Sequence, residues 1–256
     1  MASFLITGAS RGFGLALARE LASRPTSQVG KVIATVRGDA PPALSELVQQ
    51  SSGRVAVVKL DVTDQASIKK AAAEVETLLG DKGLDVLINN AGVCYWAFNG
   101  IRSMDDLQES FNINVMGVHW VTREFIPLLQ KGTLKKVANI STTLGSITLA
   151  RDVAYAPAPA YKISKAAMNA LTVQYALEYE KEGFTFMALS PGWMKTDLGG
   201  GDNADLTPEE GAKASLEIIF KGKNLNGQFP KVFVEGWETA EKAKGRNVYD
   251  GTNSPW

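Results

Sequence analysis

From its first residues to its last third, the chain alternates short β-branched runs with longer amphipathic ones, and no other feature narrows the choice of fold so far. Strand-like runs fall near Phe4–Thr7, Lys31–Val36, Val55–Lys59, Leu84–Asn89, Lys136–Ile140, Phe184–Leu189 and Lys231–Val234. Helical periodicity falls near Gly12–Arg24, Ala43–Ser51, Gln65–Leu79, Met104–Leu129, Pro159–Lys181 and Pro208–Phe220, with Asp64 and Thr207 placed as N-caps. Parallel strands need a crossover, which a helix supplies. The rhythm therefore predicts an α/β fold, a doubly wound parallel sheet of seven strands with helices on both faces. No linker, repeat or low-complexity tract interrupts it, so residues 1–256 form a single domain. Its tail, about 237–256, carries Trp237, Tyr249 and Trp256, which suits docking on the domain or on a sister subunit.

Composition excludes several function classes. Lys plus Arg and Asp plus Glu stand at 27 each, which leaves no electrostatic case for nucleic acid or an anionic membrane and points to a small-molecule partner. With Cys94 the only cysteine and His119 the only histidine, there is neither an intrachain disulfide nor a zinc-type cluster, and no metal is expected. The N-terminus lacks a basic region and its apolar run is too short for a signal peptide, so a cytoplasmic location is expected.

Directly after the first strand comes Thr7-Gly8-Ala9-Ser10-Arg11-Gly12-Phe13-Gly14, followed by an amphipathic helix. Glycines at such a strand-to-helix turn let the backbone approach a pyrophosphate, whose charge the free N–H groups at the helix start stabilise. This is the Rossmann-type arrangement. NAD binders carry an acid about 20 positions beyond the glycines. Here that window reads Ala34-Thr35-Val36-Arg37, with no acid before Asp39. Arg37 and Arg11 would reach a 2′-phosphate, which favours NADP(H), whereas Asp39 swung inward would favour NAD.

Tyr161 and Lys165 stand four residues apart at the head of a predicted helix, neighbours on one face. An ammonium there favours the phenolate, so Tyr161 is a candidate acid/base. Tyr155 is a rival, but four residues beyond it stands Pro159, which offers no ammonium and instead opens the helix. Tyr155 is left as a pocket-wall candidate.

Together these residues resemble the short-chain dehydrogenase/reductase family over essentially the whole chain. The resemblance rests on the glycine turn, Asp61-Val62, Asn89-Asn90-Ala91-Gly92, Asn114, Ser141-Thr142, Tyr161-x-x-x-Lys165 and Pro191-Gly192, in the family's order. It implies reduction of a carbonyl by hydride transfer with Tyr161 as proton donor, helped by Lys165 and the oxidised cofactor's positive charge. Asn114 would tie a relay water to Lys165, and Thr142 or Ser141 would steady the substrate oxygen. It also implies cofactor contacts from Gly8, Ser10, Arg11, Gly12, Phe13, Gly14, Arg37, Asp61, Val62, Asn90, Ala91, Gly92, Pro191, Gly192, Met194 and Thr196, beside Tyr161 and Lys165. Thr142 stands where the family usually has serine, and the stretch from Thr142 to Tyr161 is longer than in most members. The family counterpart of the His119 helix carries no catalytic histidine, so His119 reads as packed or interfacial. Cys94 follows the Asn89–Gly92 motif closely enough to line the pocket.

Within the family, Thr142–Ile147, Pro191–Asp197 and the ending Tyr249–Trp256 are similar to the C-factor and sniffer-type carbonyl reductases. The expectation is an NADPH-dependent carbonyl reductase acting on an apolar ketone or aldehyde. The alternative is an NADP(H)-binding regulatory protein or a non-redox enzyme on the same scaffold. The resemblance further implies a homodimer or homotetramer, built through the helices bearing Asn114 and Tyr161.

Overall fold

In the computed structural model, which describes all 256 residues, the central strands are buried on both faces. Strand alternation sends Phe4 and Ile6 of β1 (Ala2–Ile6) to one side and Leu5 to the other, and all three are fully enclosed. The same division holds in β2 (Val29–Val36) and in β4 (Val86–Asn89), where Val32 and Ala34 oppose Ile33, and Val86 and Ile88 oppose Leu87. Runs apolar on both faces are what a parallel sheet covered by helices requires. With β3 (Val55–Lys59), β5 (Lys136–Ile140) and β6 (Thr185–Leu189), the order is β3-β2-β1-β4-β5-β6, every pair parallel.

On one face lie α1 (Gly12–Ser23), α2 (Pro42–Gln50) and α7 (Pro208–Lys221), contributing Leu17, Leu44 and Leu216 to the core. The other face packs against α3 (Gln65–Leu79) and α5 (Val118–Lys131) through Ile68, Val75, Phe125 and Leu129. Asp64 caps α3 by accepting from the Ala66 amide (2.9 Å). Thr207 and Glu210 form a reciprocal capping box at α7 (3.1 and 2.8 Å). Pro159 opens α6 (Pro159–Glu178), where its missing N–H costs no helical hydrogen bond. No helix is long and apolar enough to cross a membrane.

Two expectations need correction. The sheet has six strands rather than seven. The segment after α7 does run beside β6, with Ala188 N donating to Gln228 O (3.0 Å), Ser190 N to Pro230 O (2.9 Å) and Val232 N to Ser190 O (3.1 Å). Pro230, however, has no N–H with which to continue the ladder, and only isolated bridges at Gln228 and Lys231 remain. Within the expected Lys231–Val234 strand, Lys231 and Val234 donate instead to Thr252 and Tyr249 in the tail (both 3.0 Å).

The expected helix Met104–Leu129 is likewise interrupted. It begins as α4 (Leu107–Phe111), widens into a π-helical stretch over Asn112–Gly117 and continues as α5. The widened stretch holds Asn114 fully buried, and Gly117 packs so closely on Val62 that a Cβ would lie 3.0 Å from its side chain. Wide turns of this kind gather at functional sites.

Candidate active site

The chain winds from β1 through β2 to β3 and then returns to β4 on the other side of β1, so the crevice for a ligand opens at the C-terminal ends of β1 and β4. The glycine turn and Asn90 meet there. Gly8 and Gly12 adopt φ of +68° and +54°, backbone that side-chain-bearing residues rarely tolerate. Thr7 Oγ1 accepts from the amides of Asn90 (2.9 Å) and Ala91 (3.0 Å), and Asn90 Nδ2 donates to the carbonyls of Thr7 (2.8 Å) and Gly8 (3.1 Å). These bonds lock the two strand ends together. The α1 N-terminus has no side-chain cap and no acid in its first turn, so its amides are left for an anion from elsewhere.

A continuous cavity of about 960 Å³ runs from this turn in both directions. Toward β2 and β3 it is lined by Arg37, Asp61 and Val62. Burial works to raise the Asp61 carboxyl, but hydrogen bonds from the Thr63 amide and hydroxyl (2.9 and 2.7 Å) and the Arg37 charge outweigh it and hold the group below the usual carboxylate range. Asp39 points outward and pairs with Lys59 at 2.8 Å, leaving Arg37 as the charged side chain beside Asp61. Arg11 lies at the rim, ion-paired with Asp197 at 3.0 Å, both largely exposed. Ser10, Gly12, Phe13, Gly14, Ala91 and Gly92 line the cavity as well.

On the other side, the first turns of α6 present Tyr161 and Lys165, both buried. Lys165 Nζ donates to the Ile140 carbonyl at 2.6 Å and lies 5.7 Å from the centre of the Tyr161 ring. Burial lowers the ammonium's pKa to about 8, with Cys94 acting weakly the other way. The same burial raises the Tyr161 phenol, and Cys94 adds to the rise. In the protein alone, therefore, loss of water around the phenol favours its neutral form. This departs from the sequence expectation, which had Lys165 favouring the phenolate.

The hydroxyls after β5 are divided by their bonds. Ser141 Oγ, 2% exposed, donates to Asn169 Oδ1 at 2.6 Å. Thr142 Oγ1 accepts from the Leu144 amide at 3.2 Å and keeps its own proton for another acceptor. Asn114 Nδ2 donates to the Val93 carbonyl (2.9 Å) and Ser164 Oγ (3.0 Å), and its Oδ1 accepts from the Val93 amide (2.9 Å). Its side chain thus staples the loop after β4 to α6, one position from Lys165. Cys94 lines the cavity with its thiol pushed up to about 12, chiefly by burial. Tyr155 lines it too, half-exposed, with the Arg246 guanidinium 5.1 Å above its ring. His119 is remote from it, with Nδ1 at 2.9 Å from the Tyr175 hydroxyl.

The loop after β6 supplies Pro191, Gly192, Met194 and Thr196 to the cavity wall. Thr196 abuts the glycine turn, where a Cβ on Gly12 would come within 3.3 Å of it. Sequence reasoning missed Asn169, which secures Ser141, and the wall contributed by Arg246, Asn247 and Tyr249. The aromatic tail was the only available signal for the latter.

Residues 3–207 match the model of the short chain dehydrogenase family. A short-chain dehydrogenase/reductase from Arthrinium sp, atnB, is 37% identical over 238 residues, covering 87% of this chain and 85% of its own. Among solved structures, the carbonyl reductase Sniffer of D. melanogaster superposes with a TM-score of 0.83 at 28% identity, covering all of both chains. The NADPH-bound carbonyl reductase from chicken fatty liver superposes with a TM-score of 0.80 at 34% identity, covering 90% of this chain and 96% of that one.

Proposed function

The chain belongs to the short-chain dehydrogenase family, and from that premise we propose that it is an NADPH-dependent reductase converting an apolar ketone or aldehyde to an alcohol, with Tyr161 as proton donor. The observation that carries this reading is a phenol and an ammonium buried at one wall of a cavity whose far end offers uncapped helix amides and Arg37. These residues fit NADP(H): the α1 amides and the turn of Gly8, Ser10, Gly12 and Gly14 suit a pyrophosphate, Arg37 suits a 2′-phosphate, and Asp61 suits the adenine end. Arg11, paired with Asp197 at the rim, would add positive charge on the phosphate side. Val62, Asn90, Ala91, Gly92, Pro191, Gly192, Met194 and Thr196 form the walls against which the cofactor would lie. When bound, NADPH supplies the hydride.

Reduction requires a proton for the carbonyl oxygen as negative charge develops there. A phenol whose pKa is raised by burial still carries its proton at neutral pH, which is the form a donor must have. The Thr142 hydroxyl, with its proton unspent, donates a second hydrogen bond to the same oxygen, whereas Ser141 has spent its own on Asn169. Lys165, mostly protonated at neutral pH with a pKa of about 8, stabilises the tyrosinate left behind. Asn114 aligns this pair by fixing Ser164, and a water held near it would return a proton to Lys165. Cys94, Tyr155 and Trp193 make the substrate end apolar and aromatic. Steady-state loss of NADPH absorbance with a panel of ketones and aldehydes tests the reading. Turnover with NADPH preferred over NADH is expected, and no turnover of any member would overturn it.

A further inference from the structure

The family match ends at residue 207, yet part of the cavity wall comes from the chain beyond it: Arg246, Asn247, Val248 and Tyr249. This segment does more than lean on the domain. Tyr249 is 4% exposed, and its hydroxyl sits between two partners: it accepts from the Trp193 amide (3.1 Å) and donates to Asp205 Oδ2 (2.7 Å). Asp205 Oδ2 also accepts from Asn247 Nδ2 (2.6 Å), and Oδ1 accepts from the Arg246 amide (3.2 Å). One carboxylate thus gathers three groups of the tail.

Trp193 and Asp205 stand at the two ends of the loop that follows β6. The amides of Asp205 and Leu206 donate to the Trp193 carbonyl (3.1 and 3.0 Å), and the Lys195 amide donates to Leu206 (2.8 Å). The Tyr249 hydroxyl, which bridges both ends, therefore ties the loop at its neck. The fit is close on the other side as well. Gly192 has φ of +90°, and a Cβ there would come 2.7 Å from Leu206 and 3.2 Å from the Tyr249 ring. The far side of the loop carries Thr196 against the glycine turn and Asp197 on Arg11. A loop tied at its neck by Tyr249 and resting on the turn at its tip has little freedom to move away from the cavity.

We propose that Tyr249 is a positioning residue for cofactor binding: its hydroxyl, held by Asp205, pins the loop Pro191–Leu198 against the glycine turn and so pre-forms the wall that closes over NADPH. The proposal rests on the reading that this cavity takes NADPH. Burial first, and then the bond to Asp205 and its charge, raise the phenol's pKa, so the hydroxyl keeps the proton it donates. Without the pin, ordering the loop must be done by the cofactor itself, which weakens binding without touching the proton donor.

The test is Tyr249→Phe, which keeps the ring packed on Trp237 (centroids 5.7 Å apart) and removes both hydroxyl bonds, alongside Asp205→Asn, which keeps the shape and weakens the same bond. NADPH binding by fluorescence titration, amide exchange across Pro191–Leu206 without NADPH, and thermal unfolding are measured for each. The expected result is a rise of about fivefold or more in the NADPH Kd for Tyr249→Phe and a smaller one for Asp205→Asn, the fivefold figure corresponding to roughly one lost hydrogen bond. Faster loop exchange and a raised KM for NADPH accompany it. An unchanged Kd in both variants, even with a lowered Tm, would reduce Tyr249 to a packing role and overturn the proposal. Should the native protein bind no NADPH, the cofactor reading falls first and this inference with it.

Discussion

Replacing Lys165 by Met separates stability from catalysis, because the ammonium is buried where a solvent-exposed one would cost nothing. Its pKa falls from 10.5 to about 8 on burial, so between those values the unfolded chain binds a proton that the folded one has released. Stability then rises with pH across that window, by about 1.4 kcal/mol per pH unit at the steepest. The sign follows from a cation whose folded pKa is depressed: its cost is present in full below pH 8 and is relieved as pH climbs toward 10.5. The whole shift amounts to roughly 3 kcal/mol, of which about 2 to 3 kcal/mol is recovered between pH 7 and pH 10. Methionine carries no proton, so the variant lacks this slope. It also loses the 2.6 Å bond to the Ile140 carbonyl, a cost of about 1 to 3 kcal/mol that does not vary with pH. Urea unfolding of both proteins from pH 7 to pH 10, without cofactor, isolates the effect. Tyr161, Tyr175 and Tyr249, whose raised values favour the folded state less as pH passes 10, cancel in the difference. The native protein should gain on the variant by about 2 to 3 kcal/mol over that range while the variant is catalytically dead. A stability difference that does not change with pH would refute the depressed pKa and with it the electrostatic account of the site.

Thr142→Val removes the hydroxyl assigned to the substrate oxygen and should lower kcat about a hundredfold, the scale of one lost donor to a developing oxyanion, while loss of the acceptor for the Leu144 amide costs about 0.5 to 1 kcal/mol of stability. Ser141→Ala should do the reverse, costing about 1 to 2 kcal/mol in urea unfolding because Asn169 loses its partner, with kcat within a few-fold of native. Arg37→Ala should weaken NADPH by about 10- to 100-fold in direct titration while leaving NADH unaffected; equal losses for both would place the 2′-phosphate elsewhere.

Much of this architecture is legible in local pattern. Asp64, Thr207 and Pro159 mark helix starts because caps act on amides two or three residues away, and the structure places them as read. The glycine turn is legible for the same reason: Gly8 and Gly12 need positive φ whatever surrounds them. The missing seventh strand was also written in the chain, as Pro230 just before the apolar run. The widened stretch at Asn112–Gly117 is hidden because no proline falls in it, and only the packing of Gly117 on Val62 betrays it. The choice between Ser141 and Thr142 depends on Asn169, and the Tyr249 pin depends on Asp205, partners too distant in sequence for spacing to reveal. Helical spacing reports the charge beside Tyr161 but not the depth of its burial, which in the protein without cofactor raises the phenol.

In the proposed reaction, Tyr161 gives its proton to a substrate carbonyl in a site already formed for NADPH. Tyr161→Phe removes one buried oxygen and leaves the ring, Lys165 and the glycine turn in place, so single-turnover mixing of the variant with NADPH and an apolar ketone measures that step alone. NADPH binding within a few-fold of native is expected, with hydride transfer slowed by about 10²- to 10⁴-fold, the range for a lost general acid. Hydride transfer at the native rate by Tyr161→Phe would contradict it.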